Sequence, residues 1–154
     1  MTAGPRAPQA MKKILLLVLA AVLIYGFLHY RGTVLPPESA IETGADAILQ
    51  AAYESRQSNL QVQGQGTVVK VLPDDRDGSR HQRFILALRS GQTLLIAHNI
   101  DLAPRIPHLA AGDEIAFHGE FEWNAKGGVI HWTHHDPDGR HPGGWLEHEG
   151  RTYQ

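Results

Sequence analysis

From residue 60 onward the apolar residues recur with a period of two, and that alternation confines most of the chain to half-buried β-strands. It is clearest where Ile115, Phe117, Phe121 and Trp123 alternate with His118, Glu120 and Glu122. Residues 62–72 read as a first strand, 83–89 as a second and 93–99 as a third; the alternation around Phe117 is the fourth and 129–135 the fifth. Turn residues separate them at Asp74 to Gly78, Ser90-Gly91, Gly112-Asp113 and Asn124 to Gly127. Residues 100–109, with Pro104 and Pro107, read as a loop containing one turn. Gly64 and Gly66 inside the first strand predict a bulge or a sharp coil. Three strands, a connection and a two-strand hairpin is the order of a small all-β barrel, OB-fold-like with five strands. The glycine-rich stretch 137–154 carries Trp145, Leu146 and Tyr153 and is expected to wrap back onto that barrel.

Upstream the pattern changes. Residues 14–28 are fifteen apolar or small residues without a charge, preceded by Lys12 and Lys13. Extended through Tyr30 the run makes about 25 Å of helix, and no small-residue cleavage site follows it closely. The expectation is an uncleaved transmembrane helix over 14–30. Arg6, Lys12 and Lys13 precede it and Arg31 alone closely follows, an asymmetry that puts residues 1–13 in the cytoplasm and the following domain in the periplasm. The inner membrane is then the anchor's partner. Residues 1–13 read as disordered, with Met11 an alternative start; residues 31–43, with Pro36-Pro37, read as an extended linker. Residues 44–154 are the OB-like periplasmic domain. A short helix opens it: Thr43 and Asp46 approximate a capping box, and Ile48, Leu49, Ala52 and Tyr53 form one apolar face. That helix is expected to end near Ser58-Asn59.

Composition removes several functions. The chain has no cysteine, which excludes disulfides, thiolate metal sites and cysteine nucleophiles. Beyond residue 31 there are ten Lys and Arg against sixteen Asp and Glu, a net charge of −6 with histidines neutral. Nucleic acid is therefore a disfavoured partner, since binding its backbone needs a basic stripe. Phosphate-binding glycine loops, dinucleotide fingerprints and Gly-x-Ser-x-Gly motifs are absent.

Histidine is the unusual residue. Of ten in the chain, His131, His134, His135, His141 and His148 fall within eighteen residues, among Asp136, Asp138, Glu147 and Glu149. Imidazole with carboxylate is a common ligand set for divalent metals, although no His-Glu-x-x-His signature is present. A two- or four-residue hairpin loop between Asn124 and Gly127 makes facing residue numbers sum to 251. Phe121 then faces Ile130 on the inner side, while Glu120 faces His131, Glu122 faces Val129 and His118 faces Thr133 on the outer side. His118, Glu120, His131 and His135 are accordingly the candidate ligands for a divalent metal. The competing reading is a solvated cross-strand ion pair worth about 0.2–1 kcal/mol. Inward parity assigns Phe84, Phe117, Phe121 and Trp132 to the core and leaves Trp123 partly buried at the hairpin tip. His98, Asn99, Asp101 and Arg105, at the exit of the third strand, are candidate binding residues, with Trp145 a candidate surface platform. Arg105 also reads as a loop lock paired with a nearby Asp.

Four strings, 98–107, 119–124, 127–137 and 144–146, resemble those of a family of small bacterial proteins, domain of unknown function 3465, over roughly residues 60–154. The resemblance implies no established activity and no catalytic residue, and an OB-like barrel is consistent with it. The functional reading is a membrane-anchored periplasmic OB-like module that binds an envelope ligand, protein or glycan. The alternative is a metal-dependent hydrolase built on the histidine–carboxylate cluster.

Overall fold

The longest strand organises the sheet. β1 (Leu60–Asp75) pairs antiparallel with β4 (Glu114–Glu122) over residues 60–67, then with β2 (His81–Ala87) over residues 67–75. β2 pairs antiparallel with β3 (Thr93–Asn99), β3 parallel with β5 (Val129–His131), and β5 antiparallel with β4. The result is a closed ring of five strands in the order β1-β2-β3-β5-β4. The computed structural model describes residues 38–154 and, before them, positions 18, 20, 21 and 25. The expected anchor over 14–30, apart from those four positions, and the segment 1–13 lie outside the described residues. Among the described residues no helix is long and apolar enough to cross a membrane.

A strand that changes partners midway must let two neighbours approach it closely. A Cβ on Gly64 would lie 2.7 Å from the Phe117 ring, and one on Gly66 would lie 2.5 Å from the Ala87 carbonyl oxygen. The register with β4 runs unbroken through both glycines, so they are sites of close approach and not the expected bulge. The irregularities fall later, between Val68 and Lys70 and between Leu72 and Asp75, against β2.

Burial follows the alternation. Phe84, Leu86, Leu94, Ile96, Ile115, Phe117, Phe121, Ile130 and Leu146 are fully buried inside the ring. Beyond the five strands the tail is regular: β6 (Trp145–His148) and β7 (Arg151–Tyr153) form a hairpin, and β6 pairs with β4 at residues 116–118. The expected wrap is thus a strand pair on the part of β4 that β5 does not reach.

The helix, α1 (Glu38–Glu54), starts five residues before Thr43 and so takes in residues read as linker. Asp46 does not cap it, because its carboxylate accepts the Ser90 N–H at 2.8 Å and ties α1 to the β2–β3 turn. Leu49 and Ala52 are buried, but Ile48 is 55% exposed, so the apolar face is narrower than expected. The helix ends at Glu54 in a Schellman arrangement: Gln57 N–H donates to Ala52 O and Arg56 N–H to Tyr53 O. Arg56 occupies the left-handed position (φ 55°) that glycine usually takes, which is why the helix ends at Glu54 and not near Ser58-Asn59 as expected.

Candidate functional site

The β4–β5 hairpin is set by one side chain. Asn124 Oδ1 accepts the N–H groups of Lys126 (2.8 Å) and Gly128 (3.2 Å). The turn it fixes pairs Phe121 with Ile130, Glu120 with His131 and Glu122 with Val129. Because side chains alternate across a strand, burying Phe121 and Ile130 turns Glu120, Glu122 and His131 outward together. One ligand atom from each of these three lies within 4.8 Å of the others, and all three side chains are half-buried.

Parity then breaks. Trp132 adopts φ 52°, in the left-handed region, and ends β5 at His131, four residues before the expected end. Trp132 consequently leaves the core to which inward parity assigned it and becomes half-buried. The chain runs out through 133–143 and returns at Gly144, whose N–H donates to His134 O at 2.9 Å. A Cβ on Gly144 would lie 2.0 Å from Trp132 O and 2.4 Å from His118 O, so only glycine closes the loop. Asp136 holds the excursion from inside, accepting the N–H groups of Asp138 (3.1 Å), Arg140 (2.7 Å) and His141 (2.8 Å). The bond from His141 leads those that hold its carboxyl below the usual carboxylate range.

The loop delivers His141 to the cluster. Its ring stacks on Trp132 (centroids 3.9 Å apart, 11° between planes), and its Nε2 lies 2.8 Å from Glu120 Oε2. Its Nδ1 lies 2.8 Å from Pro142 O, so both ring nitrogens face acceptors, an arrangement that favours the protonated ring. Burial opposes that charge, but the bonds to Glu120 and Pro142 prevail and raise the pKa above the ordinary 6.5. The two oxygens of Glu120 are thereby divided. Oε2 serves His141 and, at 3.4 Å, Gln61 Nε2, while Oε1 faces His131 Nε2 at 3.4 Å. His131 behaves oppositely to His141: burial pulls its pKa below 6.5 despite the charges of Glu120 and Glu122. Its Nε2 is shielded from solvent and has no hydrogen-bond partner among the described residues.

Glu122 and His131 also line an open groove of about 290 Å³ across the outward face of the ring. Its other walls are Asp75, His81, Arg83, Leu95, Ala97 and Val129, drawn from β1, β2, β3 and β5. A larger hollow of about 400 Å³ lies against Gln50, Tyr53, Glu54, Ser90, Gln92, Thr93, Lys126 and Gly127. There Gln50 bonds Glu54 and Gln92 Nε2 donates to Gly127 O, while Gln92 Oε1 is buried without a hydrogen-bond partner among the described residues. The smaller groove carries the ionisable cluster.

The other sequence candidates are dispersed. His118 does not face Thr133: it pairs with Trp145 of β6, with rings 6.2 Å apart. His135 is exposed on the 132–144 loop, because β5 ends before reaching it. Neither joins the three-donor group. His98 is fully buried, its Nε2–H donating to Pro104 O (3.1 Å) and its Nδ1 accepting the Thr133 hydroxyl (2.9 Å). Asn99 Oδ1 accepts the Asp101 N–H at 2.9 Å. Asp101 pairs with Arg80 (2.7 Å) and Arg105 with Asp74, so both charges lock the loop. Trp145 is half-buried. The sequence reading left Glu122, His141 and Trp132 out of the candidate site. Asp136-Pro137-Asp138-Gly139 is the one signal that bears on His141, since such a tight turn sends the chain back toward β4.

A five-stranded ring with an outward histidine–carboxylate cluster and a reinforcing hairpin defines the class of domain. The chain belongs to the family described as Protein of unknown function (DUF3465), whose model matches residues 35–154 and so takes in α1 as well as the ring. No curated protein matches the chain.

Proposed function

We propose that the chain is a membrane-anchored periplasmic module of OB-like fold that captures an extended polypeptide segment of the cell envelope in its outward groove. The observation that carries this reading is where the groove lies. The strand order β1-β2-β3-β5-β4 with a parallel β3–β5 closure is consistent with the five-stranded OB topology, whose β2–β3 face is a recurrent ligand surface. The groove uses His81 and Arg83 of β2 and Leu95 and Ala97 of β3. Five ionisable residues surround three aliphatic ones, and no aromatic ring other than imidazole is among the described residues that line it. That lining suits a peptide with alternating apolar and charged side chains better than a glycan or base, which stacks on Trp, Tyr or Phe. The net charge of −6 beyond residue 31 weighs against nucleic acid in the same way. Anchoring is supported by the apolar run 14–28 behind Lys12 and Lys13. The alternative, a metal-dependent hydrolase, draws on the three-donor group of Glu120, Glu122 and His131.

A photoreactive residue introduced at Ala97 in intact cells tests the reading. We expect a discrete adduct that proteinase collapses to the size of the chain and muramidase leaves alone. An adduct sensitive to muramidase alone makes the ligand a glycan, and no adduct at all contradicts capture. A phosphatase fused after Gln154 should be active; an inactive fusion inverts the topology.

A further inference from the structure

We propose that Glu120, Glu122 and His131 bind a divalent transition-metal ion at the end of the groove. The donors come from two hydrogen-bonded strands, in the cross-strand pair Glu120–His131 and on the diagonal from Glu122 to His131, so the backbone fixes them relative to one another. Donors on a tetrahedral ion at 2.0–2.2 Å stand about 3.3–3.6 Å apart. The 4.8 Å limit on the present separations therefore requires them to draw in by at most about 1.5 Å, within the reach of two rotating Glu side chains. His131 Nε2, out of solvent, 3.4 Å from Glu120 Oε1 and without a hydrogen-bond partner, supplies an independent reason: a buried polar atom left unsatisfied between carboxylates is a cost that a bound cation removes.

The surroundings are arranged as ligand shells are. Glu120 turns Oε1 toward His131, while Oε2 is occupied by His141 and Gln61. Such outer partners orient a ligating carboxylate and fix which oxygen faces the ion. His141 in turn is held by the Asp136-capped loop and the face of Trp132. One imidazole and two carboxylates without thiolate suit zinc, manganese, iron(II), cobalt or nickel, whereas calcium and magnesium favour all-oxygen sites. Three protein donors would leave a coordination position open, and since Glu122 and His131 are groove walls the ion would border the groove. An ion here would present a Lewis acid to whatever occupies the groove. The inference rests on the three side chains and does not depend on the groove's ligand.

Zinc itself is the probe. The full chain, purified in mild detergent and stripped with chelator, should retain one equivalent of zinc after dialysis. Glu122→Gln and His131→Gln should each weaken binding by at least about 100-fold, with near-UV circular dichroism unchanged, while His118→Gln and His135→Gln should bind as the parent does. Histidine NMR of the parent gives a second readout that needs no variant: one equivalent of zinc should move the His131 ring signals and leave those of His118 and His135 in place. No retained zinc, one equivalent held by the folded Glu122→Gln/His131→Gln double variant, or zinc shifts confined to other histidines would overturn the proposal.

Discussion

His98 offers a stability test whose sign and size both follow from its surroundings. Its imidazole is fully buried between β3 and the 132–144 loop, and burial, with a smaller contribution from His134, pulls its pKa from 6.5 to about 4. The bonds to Pro104 O and Thr133 only partly oppose that fall. Pro104 O can only accept, so Nε2 carries the proton and Nδ1 is the lone pair that a second proton would have to occupy. Between pH 6.5 and 4 the unfolded chain therefore binds a proton that the folded chain refuses, and stability falls as the pH falls. Each pH unit costs about 1.4 kcal/mol, so about 3 kcal/mol is lost by pH 4, with nothing lost above 6.5. The comparison chain is His98→Gln, whose amide can still donate toward Pro104 O but does not titrate. Urea unfolding of both full chains, followed by tryptophan fluorescence in mild detergent, should show the parent ahead at pH 7.5 and the gap shrinking by about 2–3 kcal/mol at pH 4.5. Groups such as Asp75, Asp101 and His131, whose pKa values are also lowered, are present in both chains and cancel. Parallel stability–pH curves would refute the reasoning.

Phe121, fully buried against the ring's interior, should cost about 3–5 kcal/mol as Phe121→Ala in the same unfolding assay, against less than about 0.5 for Lys126→Ala on the exposed hairpin. Arg56 is left-handed and lies 5.3 Å over the Trp123 ring. Either replacement forfeits that contact, but only glycine relieves the backbone, so Arg56→Gly should melt above Arg56→Ala by about 1 kcal/mol. His141 in chelator-treated protein should titrate above 6.5 by NMR, and Glu120→Gln should bring it back down. Because its folded pKa is raised, the stabilisation it gives is complete below about 6.5 and is lost as the pH rises through the folded value.

The strands and their parity were legible because one face of each is buried, and a one-residue slip would expose Phe117 and Phe121 together. The pairing of Glu120 with His131 followed from the hairpin loop alone. What escaped the sequence was set by tertiary contact. Trp132 takes a left-handed backbone that no Trp favours, held by Gly144 packed against its carbonyl and by His141 stacked on its ring. From that one residue follow the early end of β5, the displacement of His135 and the partnership of His118 with Trp145. The helix end was hidden for a similar reason, since Arg56 stands where glycine would have announced it.

The groove as the binding surface is tested most directly by scanning the photoreactive residue over the exposed apolar positions of the domain in intact cells. Leu95, Ala97 and Val129 line the groove, whereas Ile48, Val69, Val71 and Leu102 are exposed apolar positions outside its lining. Adducts are expected at the first three and none at the last four, with Arg83→Glu removing them. Adducts concentrated at Val69, Val71 or Leu102, unaffected by Arg83→Glu, would contradict it.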